Sequence, residues 1–345
     1  MLLDVQLDGR PEDAASRARA LVAAGVDGLF TFEGPHDVFL PLVTAAGAVE
    51  TDLMTNVAIA LPRSPLHLAH AAYDLQVLGR GRFRLGLGSQ IRPHIEHRYG
   101  GTWDRPAARM RETVLAVQAI LASWQDGSRL DFRGEFTRHT LMPPTFVPGP
   151  NPYGVPPVLL GALGPVMTRT AAEVADGLLV MPFHSHRHVR ERTLPAVAEG
   201  LARAGRTEIP LYPQAIVAMG ETEEELAAAM GGVRMLLAFY GSTPAYRPVL
   251  DVEGRGDLQP ELNALSKAGD VAAMSALVDD TLVRTLAVVG TPAECATEIG
   301  RRFGDLADRV CCYFPGYPVT DAQIGALADA LHALVPGTPS DAGHE

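Results

Sequence analysis

NVAIALPRSPLHLAHAAYDLQVLGRGRFRLGLGSQ, residues 56–90, reads as a strand, a helix and a second strand in succession. Residues 56–61 are a short apolar run closed by Pro62, the pattern of a strand buried on both faces. Ser64 is placed to cap a helix whose first turn holds Pro65, where a missing N–H costs nothing. Leu66, Ala69, Ala72, Tyr73, Gln76 and Val77 follow at helical spacing, and Gly79 and Gly81 stop the helix. Residues 83–87 form the next buried strand, which runs out into Gly-Leu-Gly-Ser-Gln. Alternating glycines at a strand's carboxyl end let a flat or anionic group approach the backbone closely. The stretch is therefore a β-α-β unit with a functional mouth.

Outward from this unit the same alternation continues. Upstream, strands are expected at residues 2–7 and 26–32, with helices at 11–24 and 41–49, which makes 56–61 and 83–87 strands three and four. Downstream, residues 92–106 are polar and too long for an ordinary β-α connection, so they are suspected of function. Residues 107–124 form a long amphipathic helix, and 130–146 an extended excursion with the makings of a hairpin. Further strands fall at 157–161, 178–181 and 211–219, with helices at 166–174, 191–204 and 223–240. A second excursion occupies 241–280, after which 285–289, 292–303, 310–314 and 321–334 complete the alternation, with 310–314 as the eighth barrel strand. About eight strand–helix pairs predict a (β/α)8 TIM barrel with insertions after strand 4 and before the last strand, rather than an open doubly wound sheet. The barrel is expected to be one domain over residues 1–335, with 336–345 a disordered tail. LGLGSQ lacks the third glycine and the following acidic residue of a Rossmann fingerprint.

The totals bound the function. The 345 residues carry a net charge of -11, and the only lysine is Lys267. This balance argues against a nucleic-acid surface. Cys295, Cys311 and Cys312 make no disulfide framework and fit no zinc spacing, which points to a reducing cytoplasm and no metal. The N-terminus has no signal-peptide pattern and no apolar run reaches a membrane span.

RSPLHLAHAAYDLQVLGRGRFRLGLGSQ (63–90), together with VPPVLLGALGPVMTRTAAEVADGLLV (155–180), resembles the luciferase-like monooxygenase superfamily over roughly residues 1–335. Within it, the chain is most similar to the branch that uses the deazaflavin coenzyme F420 as a hydride carrier. The resemblance implies that the coenzyme ring lies in the barrel mouth, against a bulge of strand three with a non-prolyl cis peptide. The matching positions are Asn56, Val57 and Ala58. It implies a phosphate held by the loop after strand four, at Gly88, Ser89 and Gln90, and by Gly161, Ala162, Leu163 and Gly164. Strand two in similar proteins ends in an acidic–His pair; here Glu33-Gly34 stands in register and His36 lies two residues later. Similar proteins are often homodimers.

Each site residue also has its own chemistry. Gly161 to Gly164 precede Pro165 and a helix, so their N–H groups suit an anion; a plain β-α turn is the other reading. Gly86, Gly88, Ser89 and Gln90 lie on the carboxyl face of the strands, where a barrel carries function. Glu33 and His36, the candidate catalytic pair, combine a carboxylate with an imidazole suited to proton transfer, or are a helix cap and a solvated loop residue. Arg63 either pairs with Glu33 or meets an acidic substrate or coenzyme tail. His94, His97, Tyr99 and Trp103 are candidates for substrate contact from the long loop, against readings as exposed or packing residues. His184, His186 and His188 face one way if extended, but no carboxylate or cysteine accompanies them at ligand spacing, so they are read as lining the pocket or facing water. Cys311 and Cys312 read as small core residues, and Trp124 as packing.

The sequence thus predicts a cytoplasmic oxidoreductase that moves hydride between F420 and a small organic substrate. One alternative is an FMN-dependent monooxygenase served by a separate reductase. Another is a barrel that binds the coenzyme without turnover.

Overall fold

A computed structural model describes residues 1–334; the expected disordered tail at 336–345 lies outside them. Apolar alternation builds β1 (Leu2–Gln6), β2 (Gly28–Thr31), β3 (Asp52–Thr55), β4 (Phe83–Gly88), β5 (Val158–Ala162), β6 (Gly177–Val180), β7 (Leu211–Met219) and β8 (Arg309–Tyr313). All pair in parallel with their sequence neighbours, and β8 returns to β1 with Leu2 opposite Arg309, so eight strands close into a barrel. Its outer ring is α1 (Ala14–Ala23), α2 (Leu40–Ala46), α3 (Pro65–Leu78), α4 (Pro106–Asp126), α5 (Pro165–Val174), α6 (Leu194–Ala204), α7 (Glu223–Gly241), α8 (Pro292–Phe303) and α9 (Asp321–His332). The fold is the expected (β/α)8 barrel. Among the described residues no helix is long and apolar enough to cross a membrane.

Successive residues on each strand face opposite ways. Leu3, Val5, Leu53, Phe83, Leu85 and Leu87 fill the layer beneath the helices, while Phe30, Met54, Leu159, Leu179 and Cys311 form a separate cluster inside the barrel. Below that cluster the strands' amino ends carry charge. Arg309 bonds Asp4 at 2.5 Å and also Asp52, and Arg84 reaches Asp52 at 3.2 Å. This ion cluster floors the barrel, leaving the carboxyl ends as the open mouth.

Two expectations need correction. The third strand begins at Asp52, not at residue 56, because its charged first residue belongs to the floor cluster and hides the strand pattern. Residues 56–61 are instead a bulge followed by a two-residue continuation, Ala58–Ile59. The strand expected at 285–289, beyond the eight of the barrel, begins only at Val288. Asp279 caps the helix Asp280–Leu286, and Val288–Gly290 then lies beside the end of β7, outside the closed ring. The second excursion therefore runs past residue 280. Its helices Arg247–Val252, Leu258–Ala268, Val271–Ala276 and Asp280–Leu286 share a core with α7 and with Ile216 and Ala218 of β7. The first excursion is the expected hairpin, Phe132–Arg133 against Arg138–His139. Its turn is tied down by the Glu112 carboxylate, which accepts from the N–H groups of Glu135, Phe136 and Thr137.

Candidate active site at the barrel mouth

The bulge after β3 organises the mouth. Met54 pairs with Arg84, but the next pairs are Ala58 with Leu87 and Ile59 with Gly88, so four steps along one strand match three along the other. One extra residue is accommodated, as in a β-bulge. The ladder groups of Gly86 turn to a side chain instead: its N–H donates to Thr55 Oγ1 at 2.9 Å, and that hydroxyl donates to Gly86 O at 2.8 Å. A Cβ at Gly86 would overlap the Thr55 carbonyl oxygen, so only glycine fits. The Asn56–Val57 peptide is cis, at the position the resemblance implies. Val57 is half-buried and its side chain lies over two glycines: a Cβ at Gly88 would overlap Val57 Cγ2, and one at Gly161 would sit 3.2 Å from Cγ1. The glycines of β4 and β5 thus make the recess that seats Val57 as an apolar shelf. Beside it, Tyr313 at the end of β8 packs at a tilt against Phe30, with ring centroids 5.0 Å apart, and its hydroxyl donates to Gln214 Oε1 at 2.6 Å.

Glu33 lies two residues past β2, with its side chain 8 % exposed and three partners. Oε2 accepts from Ile59 N–H at 2.8 Å and from Arg63 Nη1 at 2.5 Å; Oε1 accepts from the Tyr99 hydroxyl at 3.0 Å. Arg63 also donates to Ile59 O at 2.8 Å. Of the two readings open for Arg63, the structure has the ion pair with Glu33. Glu33 therefore ties three segments together: the segment that follows β2, the residues after the bulge, and the long loop that carries Tyr99. Burial and the adjacent Glu33 charge push the Tyr99 phenol up from its usual value, which keeps it a donor. Arg98 adds a second tie from that loop, to Gly34 O at 2.9 Å. His36 is exposed at the same end of the barrel, and the Asp37 carboxylate accepts from the N–H groups of Phe39 and Leu40 where α2 begins.

The phosphate-loop candidates lie along the rim. Gln90 adopts the left-handed region, with φ 61°, and its side-chain oxygen accepts from Ile91 N–H at 3.0 Å. A non-glycine residue held there at a strand's mouth is a local strain of the kind found at functional sites. Ser89 Oγ donates to Gln90 O at 3.1 Å. Gly161 and Ala162 end β5; Leu163 follows, and Gly164 is the exposed residue before α5. A Cβ at Gly164 would meet nothing within 4 Å, so the amino end of α5 is open. His94 and Trp103 are partly exposed on the loop after β4, and His97 is exposed.

Of the three histidines after β6, none stands on an extended strand, and His186 is partly exposed while the other two are buried. His186–His188 is a helical turn, and His184 and His188 are each 2 % exposed. His184 Nε2 lies 3.0 Å from Gln214 O, at the point where β7 has left β6 and has no strand partner on that side. Burial, aided by neighbouring Arg302, pushes the His184 imidazole down to about 3; burial and Arg192 take His188 to about 4. Among the described residues no group of His, Cys, Asp or Glu is arranged to hold a metal. Burial pushes the Cys311 and Cys312 thiols well up, as befits core residues.

Sequence reasoning passed over Thr55, Gln214 and Tyr313. Tyr313 was within reach, since it stands two and four residues after the inward-facing Cys311 and Arg309 on one strand. Thr55 and Gln214 gave no signal before the pairing was known.

The chain matches the luciferase-like monooxygenase family over residues 3–309. It is 46 % identical over 315 residues to the uncharacterized protein Rv1360 of Mycobacterium tuberculosis, covering 90 % of this chain and 93 % of that one. It is 29 % identical over 299 residues to the putative coenzyme F420-dependent oxidoreductase Rv3520c of the same organism, covering 81 % and 84 %. The structure of the F420-dependent tetrahydromethanopterin reductase from Methanopyrus kandleri superposes with a TM-score of 0.77 at 18 % identity, over 96 % of this chain and 97 % of that one, which establishes the shared fold. The bulged third strand, the glycine-seated mouth and these matches agree: the chain belongs to the luciferase-like monooxygenase family.

Proposed function

We propose that this chain is a coenzyme F420-dependent oxidoreductase, which moves hydride between the deazaflavin and a small organic substrate in the barrel mouth. The observation that carries the reading is the shelf of Val57 over Gly88 and Gly161, next to the open amino end of α5 at Gly164. It is a place for a flat ring with an anionic tail. The 29 % identity to a putative F420-dependent oxidoreductase supports the choice of coenzyme.

The residues present fit such a group. When bound, the coenzyme supplies or accepts the hydride. Val57 would support the ring from below, with Asn56 and Ala58 flanking it on the bulge. Gly161, Ala162, Leu163 and Gly164, with Gly88, Ser89 and Gln90 across the rim, would hold the phosphate through main-chain N–H groups. Glu33 is committed to Ile59, Arg63 and Tyr99, so its part is to fix the bulge and anchor the loop. His36, exposed at the same end, is then the group to exchange a proton at an imidazole nitrogen with the substrate. The loop bearing His94 and Trp103 would cover the substrate and exclude water.

The second reading is an FMN-dependent monooxygenase with a separate reductase; its support is that the matched family is described as luciferase-like monooxygenase. Titration with F420 and with FMN, followed by fluorescence, separates the two, and oxygen consumption checks the result. Gly164→Asp is the matched variant. An Asp suits the N-cap and has open space, so stability should hold or rise, while coenzyme affinity falls more than about tenfold through repulsion of the phosphate. Unchanged affinity would refute the assigned phosphate position. Tight FMN binding without F420 binding would refute the choice of coenzyme.

A further inference from the structure

The second excursion roofs one side of the mouth. On β7, Gln214 lies opposite Cys311 and Ile216 opposite Tyr313 of β8, and those two β8 residues belong to the cluster inside the barrel. Side chains alternate along a strand, so Gln214, Ile216 and Ala218 all face inward. Ile216 and Ala218 share their core with α7 and the excursion's helices, as does Phe183 beyond β6. The excursion therefore sits over the inner face of β7. That strand stands four places round the ring from β3, so the roof faces Val57 across the mouth.

Tyr240, near the end of α7, and Tyr246, just after it, pack on that core. Their rings lie 5.8 Å and 6.1 Å from the fully buried Phe183, and 6.1 Å from each other, edge to face. Buried phenols ordinarily find a hydrogen-bond partner. No hydrogen bond among the described residues engages either hydroxyl here, and neither oxygen is sealed off, so both open onto solvent. Tyr240 lies close enough to Tyr313 to add to the burial that pushes the Tyr313 phenol well up, which places it on the side of the roof toward the barrel interior. Burial also raises Tyr240 and Tyr246, Tyr240 with help from Tyr246, and no charged side chain contributes to either. The two are protonated donors in an uncharged wall.

We propose that the Tyr240 and Tyr246 hydroxyls anchor the substrate by donating to a carbonyl oxygen on an uncharged, largely apolar molecule. A carbonyl oxygen has two lone pairs, one for each phenol. A few placed donors in an apolar wall are the usual make-up of a small-molecule site. A carboxylate or phosphate in the same place would give up its water with no cation to replace it, at a large cost.

The inference deepens the proposed function and rests on it, and one set of titrations tells their failures apart. Wild type, Tyr240→Phe, Tyr246→Phe and the double variant are titrated with F420 and melted. Each is then titrated, with and without F420, with cyclohexanone and acetophenone and with the matching anions cyclohexanecarboxylate and benzoate. Wild type should prefer the ketones to the carboxylates. Each single variant should bind the ketones roughly fivefold more weakly, the size of one lost hydrogen bond, and the double variant more weakly still. Melting temperature and F420 affinity should stay at the wild-type values, because neither hydroxyl has a partner among the described residues. Unchanged ketone affinity in the double variant, a preference for the carboxylates, or no ketone binding by wild type overturns the inference, and F420 binding then leaves the coenzyme reading standing. A lower melting temperature with ketone and carboxylate affinities reduced alike also overturns it, by showing that the hydroxyls serve the fold. If wild type does not bind F420, the coenzyme reading fails, and the ketone titrations still decide whether the tyrosines hold a carbonyl.

Discussion

Gly88→Ala tests the seat of Val57 directly. The added Cβ would overlap Val57 Cγ2 and stand 3.2 Å from Val57 Cβ and 3.8 Å from Cγ1. Retreat within the wall would press Val57 Cγ1 onto the backbone of Gly161, over which it already lies. Only a swing toward the open mouth relieves the overlap, and a β-branched side chain resists leaving its rotamer. Overpacking of this kind costs about 1–3 kcal/mol. Val57→Ala alone should cost about 1 kcal/mol, since the side chain is only half-buried. In the double variant both γ-carbons are gone, so it should be little less stable than Val57→Ala, a coupling of about 2 kcal/mol. Guanidinium unfolding of the four proteins at constant slope gives the coupling. The single Gly88→Ala protein should also bind F420 at least about tenfold more weakly, because the displaced valine enters the ring's place. Additive losses in the double variant would refute the reasoning.

Glu33→Gln should lower stability by about 1–2 kcal/mol, less than a fully buried pair because Arg63 is 23 % exposed, and it should raise proteolysis in the loop that carries Tyr99. Undiminished stability would show that the three-way tie is idle. Acid should weaken the fold through His184 and His188, whose folded values of about 3 and about 4 lie below the ordinary 6.5. Below pH 6.5 the unfolded chain takes up protons that the folded one refuses, so each histidine costs up to about 1.4 kcal/mol per pH unit down to its folded value. Asp4, raised by burial to about 6, has the opposite sign: its contribution is lost as pH rises from 3.8 to 6. Two histidines against one carboxylate should leave a net loss on acidification from pH 6.5 to 4. His184→Gln should flatten that loss, and an unchanged profile would exclude His184 as its source.

The barrel was legible because most of its elements keep one period from end to end. β7 and α8 have the limits read from the sequence, Leu211–Met219 and Pro292–Phe303, each a continuous apolar pattern with clear stops. β3 was misread because its charged first residue serves the floor and its bulge breaks the alternation, which moved the apparent strand to 56–61. Residues 285–289 look extended for their β-branched content, yet Asp279 caps a helix through the first of them. Pairing of Glu33 with Arg63 was one of two readings, and no local pattern could choose between them because the partners stand 30 residues apart. The burial of His184 and His188 was illegible for a similar reason. It comes from the wall of β7 and from the end of α8, where Phe303 meets the His184 ring edge-on at 5.7 Å, not from their own neighbours in sequence.

The ion cluster of Asp4, Asp52, Arg84 and Arg309 has a bearing on traffic as well as on stability. A barrel stopped at one end by paired charges has a single doorway. Under the proposed function, a coenzyme on Val57 and a substrate beneath the loop would have to use that same opening, each able to obstruct the other's passage.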